Sequence, residues 1–135
     1  MRNIIVLILC LFINNTTQAQ NYWQQNADYK INVDVNANNN TYKGNQEIKY
    51  TNNSRDTLNK IFFHLYFNAF KVGSDMAIRL KNGDDINTRF DVDISQLKSN
   101  EEGFLKVSNL RQDGLKVETY VSDTILEVIL ANPIE

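Results

Sequence analysis

Lys60-Ile61-Phe62-Phe63-His64-Leu65-Tyr66-Phe67-Asn68-Ala69-Phe70 holds five aromatic side chains, two large aliphatic ones and the only histidine of the chain. In an extended strand alternate residues face opposite ways. Ile61, Phe63, Leu65 and Phe67 then share one side, and Phe62, His64 and Tyr66 the other. Both sides are mainly apolar, the pattern of an interior strand covered on two faces. The stretch reads as a strand buried in a larger body rather than as a catalytic loop.

Working outward, the N-terminal side supplies a hairpin. Tyr29, Ile31, Val33 and Val35 alternate with Lys30, Asn32, Asp34 and Asn36, a strand with one wet face. Asn38-Asn39-Asn40 reads as a turn, because Asn tolerates unusual backbone angles and bonds its own backbone. A second strand is predicted over residues 41–51, with Tyr42, Ile48 and Tyr50 in phase. Gly44 falls in that phase and marks a bulge or a close crossing. Residues 21–27 read as an extended lead-in, and 52–56 as the turn that delivers the chain to the aromatic stretch.

On the C-terminal side, residues 71–100 show no sustained period and read as a long excursion with short local structure. Strand signals return at Phe104, Leu105 and Val107, then, after a turn at Gln112-Asp113-Gly114, at Leu115, Val117, Thr119 and Val121. Ser122-Asp123 makes a tight connection to a last strand over residues 124–130, whose apolar residues occupy both faces. The pattern predicts that this strand is left without a partner, an unpaired apolar edge of the kind soluble proteins usually cover or charge. The fold class expected from these signals is all-β: a mainly antiparallel β-sandwich or curved sheet of five or six strands, incomplete at its C-terminus.

Composition narrows the partners. Arg2, the apolar run of residues 4–13, and Thr17 and Ala19 before Gln20 form the pattern of a cleaved signal peptide over residues 1–19, implying export to a periplasmic or extracellular location. The apolar run is short for a membrane span. A lipoprotein reading of Cys10 is disfavoured by Leu9 before it and by its place within the apolar run. Residues 20–135 form one domain without cysteine, so disulfides and thiol chemistry are excluded there. The whole chain carries 14 positive and 16 negative side chains; without Arg2 the balance is 13 to 16, about −3, with no basic stripe for nucleic acid.

Candidate chemistry is sparse. A metal site needs three or more convergent donors, and His64 would have only carboxylates for company, so it reads as a packed, hydrogen-bonded imidazole. Ser54, His64 and Asp56 contain the residue types of a hydrolase triad but no nucleophile elbow or oxyanion hole. Asp84-Asp85, Asp91 and Asp93 lack the ordered spacing of a calcium loop and read as a solvated acidic patch. Glu101-Glu102-Gly103 reads as a turn, and Tyr22 and Trp23 as aromatic contacts for a ligand or a neighbouring surface. No catalytic, cofactor-binding or metal-ligating residue is assigned.

One resemblance adds to this reading. Tyr42-Lys43-Gly44-Asn45-Gln46-Glu47-Ile48-Lys49-Tyr50-Thr51-Asn52-Asn53-Ser54, followed by Asp56-Thr57-Leu58 and Ile61 through Phe70, resembles the start of secreted bacterial metallopeptidases of the M1 family, the gluzincin aminopeptidases. Tyr22-Trp23-Gln24-Gln25 and Asp28-Tyr29-Lys30-Ile31 look like the opening of the mature enzymes, and Leu130-Ala131-Asn132-Pro133-Ile134 like the segment that leads there into another strand. The resemblance implies a non-catalytic N-terminal β domain, saddle-like, packed on a thermolysin-like catalytic domain of the same or a split polypeptide and touching peptide substrate only indirectly. The family's H-E-x-x-H helix and G-x-M-E-N segment are absent, so zinc is expected only in the parent protein's catalytic domain, and this chain is expected to be a truncated piece. The alternative from the residues themselves is an independent secreted β-sandwich module binding peptide or glycan.

Overall fold

The computed structural model describes residues 23–82 and 93–135, which fall into two compact units divided after Ser54. The expected signal peptide with Cys10, together with Tyr22, Asp84, Asp85 and Asp91, lies outside the described residues.

The first unit is a hairpin. Strand β1 (Asn26–Asn36) pairs antiparallel with β2 (Thr41–Thr51) in unbroken register, from Asn26 opposite Thr51 to Asn36 opposite Thr41. The asparagines make the turn as their chemistry dictates: the Asn38 N–H donates to Asn36 Oδ1 at 3.0 Å, the Thr41 hydroxyl donates to Asn39 Oδ1 at 2.6 Å, and Asn40 adopts φ 53°. Gly44 is a close crossing and not a bulge. It lies opposite Val33, where a Cβ would sit 2.7 Å from the Asn32 carbonyl oxygen and 3.1 Å from Val33 Cγ2. The lead-in is fastened to the far end: Gln25 Nε2 donates to Asn52 Oδ1 at 2.7 Å, and the Asn53 N–H donates to Gln25 Oε1 at 2.9 Å. Tyr29, Ile31, Val33, Val35 and Tyr42 line up on one face as their alternation requires, yet all five are exposed, by 41% to 75%.

The second unit centres on a three-stranded antiparallel sheet. Strand β3 (Leu58–His64) pairs with β7 (Ile125–Ile134), and β7 pairs on its other side with β6 (Glu118–Ser122). A separate small hairpin joins β4 (Arg111–Gln112) to β5 (Leu115–Lys116). Its turn carries Asp113 at φ 49° and Gly114 at φ 83°, two successive left-handed residues that match the twist of a tight hairpin. Leu65, Val117, Leu126 and Val128 form the buried core, with Ile61, Phe63, Leu105 and Leu110 packed against it.

Several expectations are corrected. The all-β class does not hold: helix α1 (Asp75–Asn82) and 3₁₀ turns at Tyr66–Phe70 and Ile94–Gln96 stand beside three β-sheets. Ser74 starts α1, its hydroxyl accepting from the Ala77 N–H at 3.1 Å, with Asp75 in the first turn and Arg79 and Lys81 in the last, as the helix dipole favours. At two turns, α1 is too short to show a sustained period. The aromatic strand stops at His64, because its partner β7 begins at Ile125, just after the turn at residues 123–124, and no ladder partner remains. The Leu65 N–H then bonds the Thr124 carbonyl at 2.7 Å, and the chain folds into the turn at Tyr66–Phe70.

Nor is β3 covered on both faces: Ile61, Phe63 and Leu65 face the core, while Phe62, His64 and Tyr66 are exposed. Residues 104–107 form no strand, and the stretch from Leu115 to Val121 breaks at the buried Val117. The last strand is not an unpaired edge. β7 is the central strand of its sheet, and among the described residues β3 and β6 are its edges.

Candidate functional site

The exposed face of the three-stranded sheet gathers most of the chemistry. The register places Phe62, Glu127 and Tyr120 in one row across β3, β7 and β6. Residues directly opposite in an antiparallel pair share a face. The row on one side is therefore Lys60, Ile129 and Glu118, and on the other His64, Ile125 and Ser122. Lys60 Nζ lies 2.8 Å from Glu127 Oε1 and 5.5 Å from the centre of the Phe62 ring. The Tyr120 hydroxyl donates to Glu118 Oε2 at 3.3 Å. His64 stacks on Tyr66, ring centres 5.1 Å apart and planes within 10°. Both the ion pair and the cation–π contact sit in solvent and are worth under about 1 kcal/mol each.

His64 thus packs against an aromatic ring as an exposed imidazole. Among the described residues no group of three or more His, Cys, Asp or Glu could hold a metal ion. The Ser54 hydroxyl donates to Asn52 Oδ1 at 2.7 Å, closing its own turn. Asp93 caps the turn at Ile94–Gln96, with the Ser95 hydroxyl at 2.7 Å and the Ser95 N–H at 2.9 Å on its Oδ1. The hydroxyl bond first, then the amide bond, holds its carboxyl below the usual value. Glu101 and Glu102 belong to a turn, as read from sequence: both N–H groups donate to the Lys98 carbonyl, and Glu101 Oε2 accepts from the Lys98 N–H. Trp23 is half exposed.

A second concave feature, a shallow cleft of about 420 Å³, is lined by Asp75, Met76, Arg79 and Leu80 of α1 and by Asp123 and Thr124. Asp123 Oδ1 faces the Asp75 N–H at 3.4 Å. The cleft holds charged groups but no nucleophile aligned with a base.

Three structural residues escaped the sequence reading. Asn68, buried inside the aromatic stretch, donates through Nδ2 to the Asp123 carbonyl at 3.0 Å and accepts the Leu105 N–H on Oδ1 at 2.9 Å. Ser74, also buried, donates its hydroxyl to the Ala69 carbonyl at 2.6 Å while capping α1. Gln112 bonds Asn132 twice, donating to its carbonyl at 2.7 Å and accepting its N–H at 3.0 Å. A polar residue within an aromatic block, and Ser-Asp ahead of an apolar pair, were available signals for the first two. Gln112 had none.

No family model, curated protein or solved structure matches this chain. The M1 resemblance therefore stands on the sequence motifs alone.

Proposed function

We propose that this chain is an exported, non-catalytic N-terminal scaffold domain of an M1-like zinc aminopeptidase, the parent protein hydrolysing peptides from the amino end. The observation that carries the reading is the β1–β2 hairpin. It presents the row Tyr29, Ile31, Val33 and Val35, each about half exposed or more, on a unit that has two strands among the described residues. A lone hairpin is marginally stable in water, and an apolar face of this size normally packs on another layer. The resemblance supplies that layer's identity: a catalytic domain on the same or a split polypeptide. Zinc and its ligands belong to that partner, peptide substrate meets this chain only indirectly, and neither nucleic acid nor a membrane is a partner. Among the described residues no helix is long and apolar enough to cross a membrane.

The coding DNA on the 3′ side of the Glu135 codon tests the proposal. A continuation, in frame or shifted, into an H-E-x-x-H helix is expected, and that catalytic half should gain peptidase activity when mixed with this chain. Release of amino acids from peptides by the chain alone, or a downstream region without any peptidase sequence, overturns the reading.

A second reading has its own observation. Phe62, Tyr66 and Tyr120 stand exposed on the three-stranded sheet beside polar groups that could bond a ligand. That arrangement suits an independent secreted module binding peptide or glycan. Localised amide shifts at those residues on titration with oligosaccharides or peptides would favour it over the scaffold.

A further inference from the structure

We propose that β6 is a self-association edge, on which a second copy of this chain adds its own β6 across a two-fold axis through Tyr120. Among the described residues strand β6 is flanked only by β7 and makes no backbone hydrogen bond to any other segment. All five of its residues are exposed. Soluble proteins guard such an edge with lysine, proline, a bulge or a covering loop. The opposite edge of the same sheet has two of these devices, a register shift between Leu58 and Lys60 and Lys60 itself in mid-strand. Glu118-Thr119-Tyr120-Val121-Ser122 has neither lysine, proline nor bulge, and three of its residues are aromatic or β-branched.

The occupant follows from self-complementarity. Only one antiparallel register pairs all five residues of β6 with a second β6, the one that sets Tyr120 opposite itself. It places Glu118 opposite the partner's Ser122, a carboxylate facing a hydroxyl donor. Thr119 then faces the partner's Val121, a favourable β-branched pair, and Tyr120 faces the partner's Tyr120, an aromatic pair. No like charges meet. The contact is isologous, so it closes at two copies and does not grow into a fibre. It would extend the exposed row Phe62, Glu127 and Tyr120 into its symmetry mate, making one continuous six-stranded sheet. Five residues pair over less area than the ~1,200–2,000 Å² of a standard interface, so association is weak and concentration dependent.

Sedimentation velocity of the purified chain from about 10 µM to about 1 mM, a range that brackets weak association, tests the proposal. The weight-average mass should climb from that of one copy toward twice that value. Tyr120→Lys and Tyr120→Glu each place like charges across the axis and should each weaken association by about tenfold or more. An equimolar mixture of the two variants should recover association, because opposite charges then meet at the axis. That recovery cannot come from misfolding. A mass fixed at the monomer throughout, association untouched by both substitutions, or a mixture no better than either variant alone would each overturn the proposal.

Discussion

Asn68 lets the energetics of the second unit be checked at one atom pair. Its side-chain amide is buried and holds two segments distant in sequence, the Asp123 carbonyl at 3.0 Å and the Leu105 N–H at 2.9 Å. Asn68→Ala deletes both bonds. Each is worth about 1 kcal/mol net, and a backbone group left part-buried without a partner costs about 1–3 kcal/mol. Water can reach some of the exposed ends, so the expected loss is about 2–4 kcal/mol, a large share of the ~5–15 kcal/mol that holds a typical domain together. Urea unfolding followed by circular dichroism measures the total, and amide hydrogen exchange locates it. The Leu105 amide, which its bond to Asn68 Oδ1 should protect in the parent chain, should become fast. Asn68→Asp keeps the acceptor for Leu105 but turns a carboxylate toward the Asp123 carbonyl, and should recover stability on acidification as the acid becomes a donor. A loss below about 0.5 kcal/mol with the Leu105 amide still protected would show that Asn68 is a passenger in the turn and refute the reasoning.

Three further outcomes are expected. Gly44→Ala drives a Cβ to 2.7 Å from the Asn32 carbonyl oxygen, which is backbone and cannot swing away; overpacking of this kind costs about 1–3 kcal/mol, and cross-strand NMR contacts between residues 33 and 44 should weaken. Leu126→Ala empties part of the buried cluster with Val117 and Val128 and should cost about 2–5 kcal/mol, whereas Lys60→Ala, which removes an exposed ion pair and an exposed cation–π contact, should cost about 1 kcal/mol or less; comparable losses at the two sites would contradict the placement of the core. For Asp93 the folded carboxyl lies below its ordinary value of 3.8, so its contribution to capping is complete above that pH and is lost as pH falls through the lower folded value. The Ser95 amide shift should report this titration, and a midpoint at or above the ordinary value would contradict the cap.

Legibility followed locality. The β1–β2 hairpin was readable because strict alternation and an asparagine turn lie within one short stretch, and the turns at Asp113-Gly114 and Asp123 carry their own backbone chemistry. The end of β3 was not readable, since it depends on where β7 begins, some 60 residues later. Leu105 sits in a run that alternates like a strand, yet its N–H is taken by the Asn68 side chain, and the ladder never forms. Helix α1 lacked the length for a period, leaving Ser74 as its only announcement. At the candidate site, Phe62, His64 and Tyr66 were recognised as sharing a side of the strand. That this side is open, and that Glu127 and Tyr120 join it, follows from the pairing of β3 with a β6–β7 hairpin that lies more than fifty residues further along the chain. The apolar row of β1 was legible as a face, but nothing in one strand reveals whether another layer lies over it.

The double hydrogen bond from Gln112 to Asn132 carries a consequence for how this sheet comes apart. β6 reaches only as far as Ile129, so beyond that point a side-chain amide stands in for the missing neighbour and gives Asn132 the same donor and acceptor that a strand would. The half-buried Gln112 side chain, far from Asn132 in sequence, therefore holds the β6 side of the last third of β7, whose other side is paired with β3 where Leu58 meets Ile134. Opening should then proceed as a zipper with two teeth of unequal strength, the Asn132 end releasing first and the stretch between Ile125 and Ile129 only with the whole unit. Gln112→Glu, which keeps the acceptor and removes the donor, would lower the first tooth and leave the second untouched.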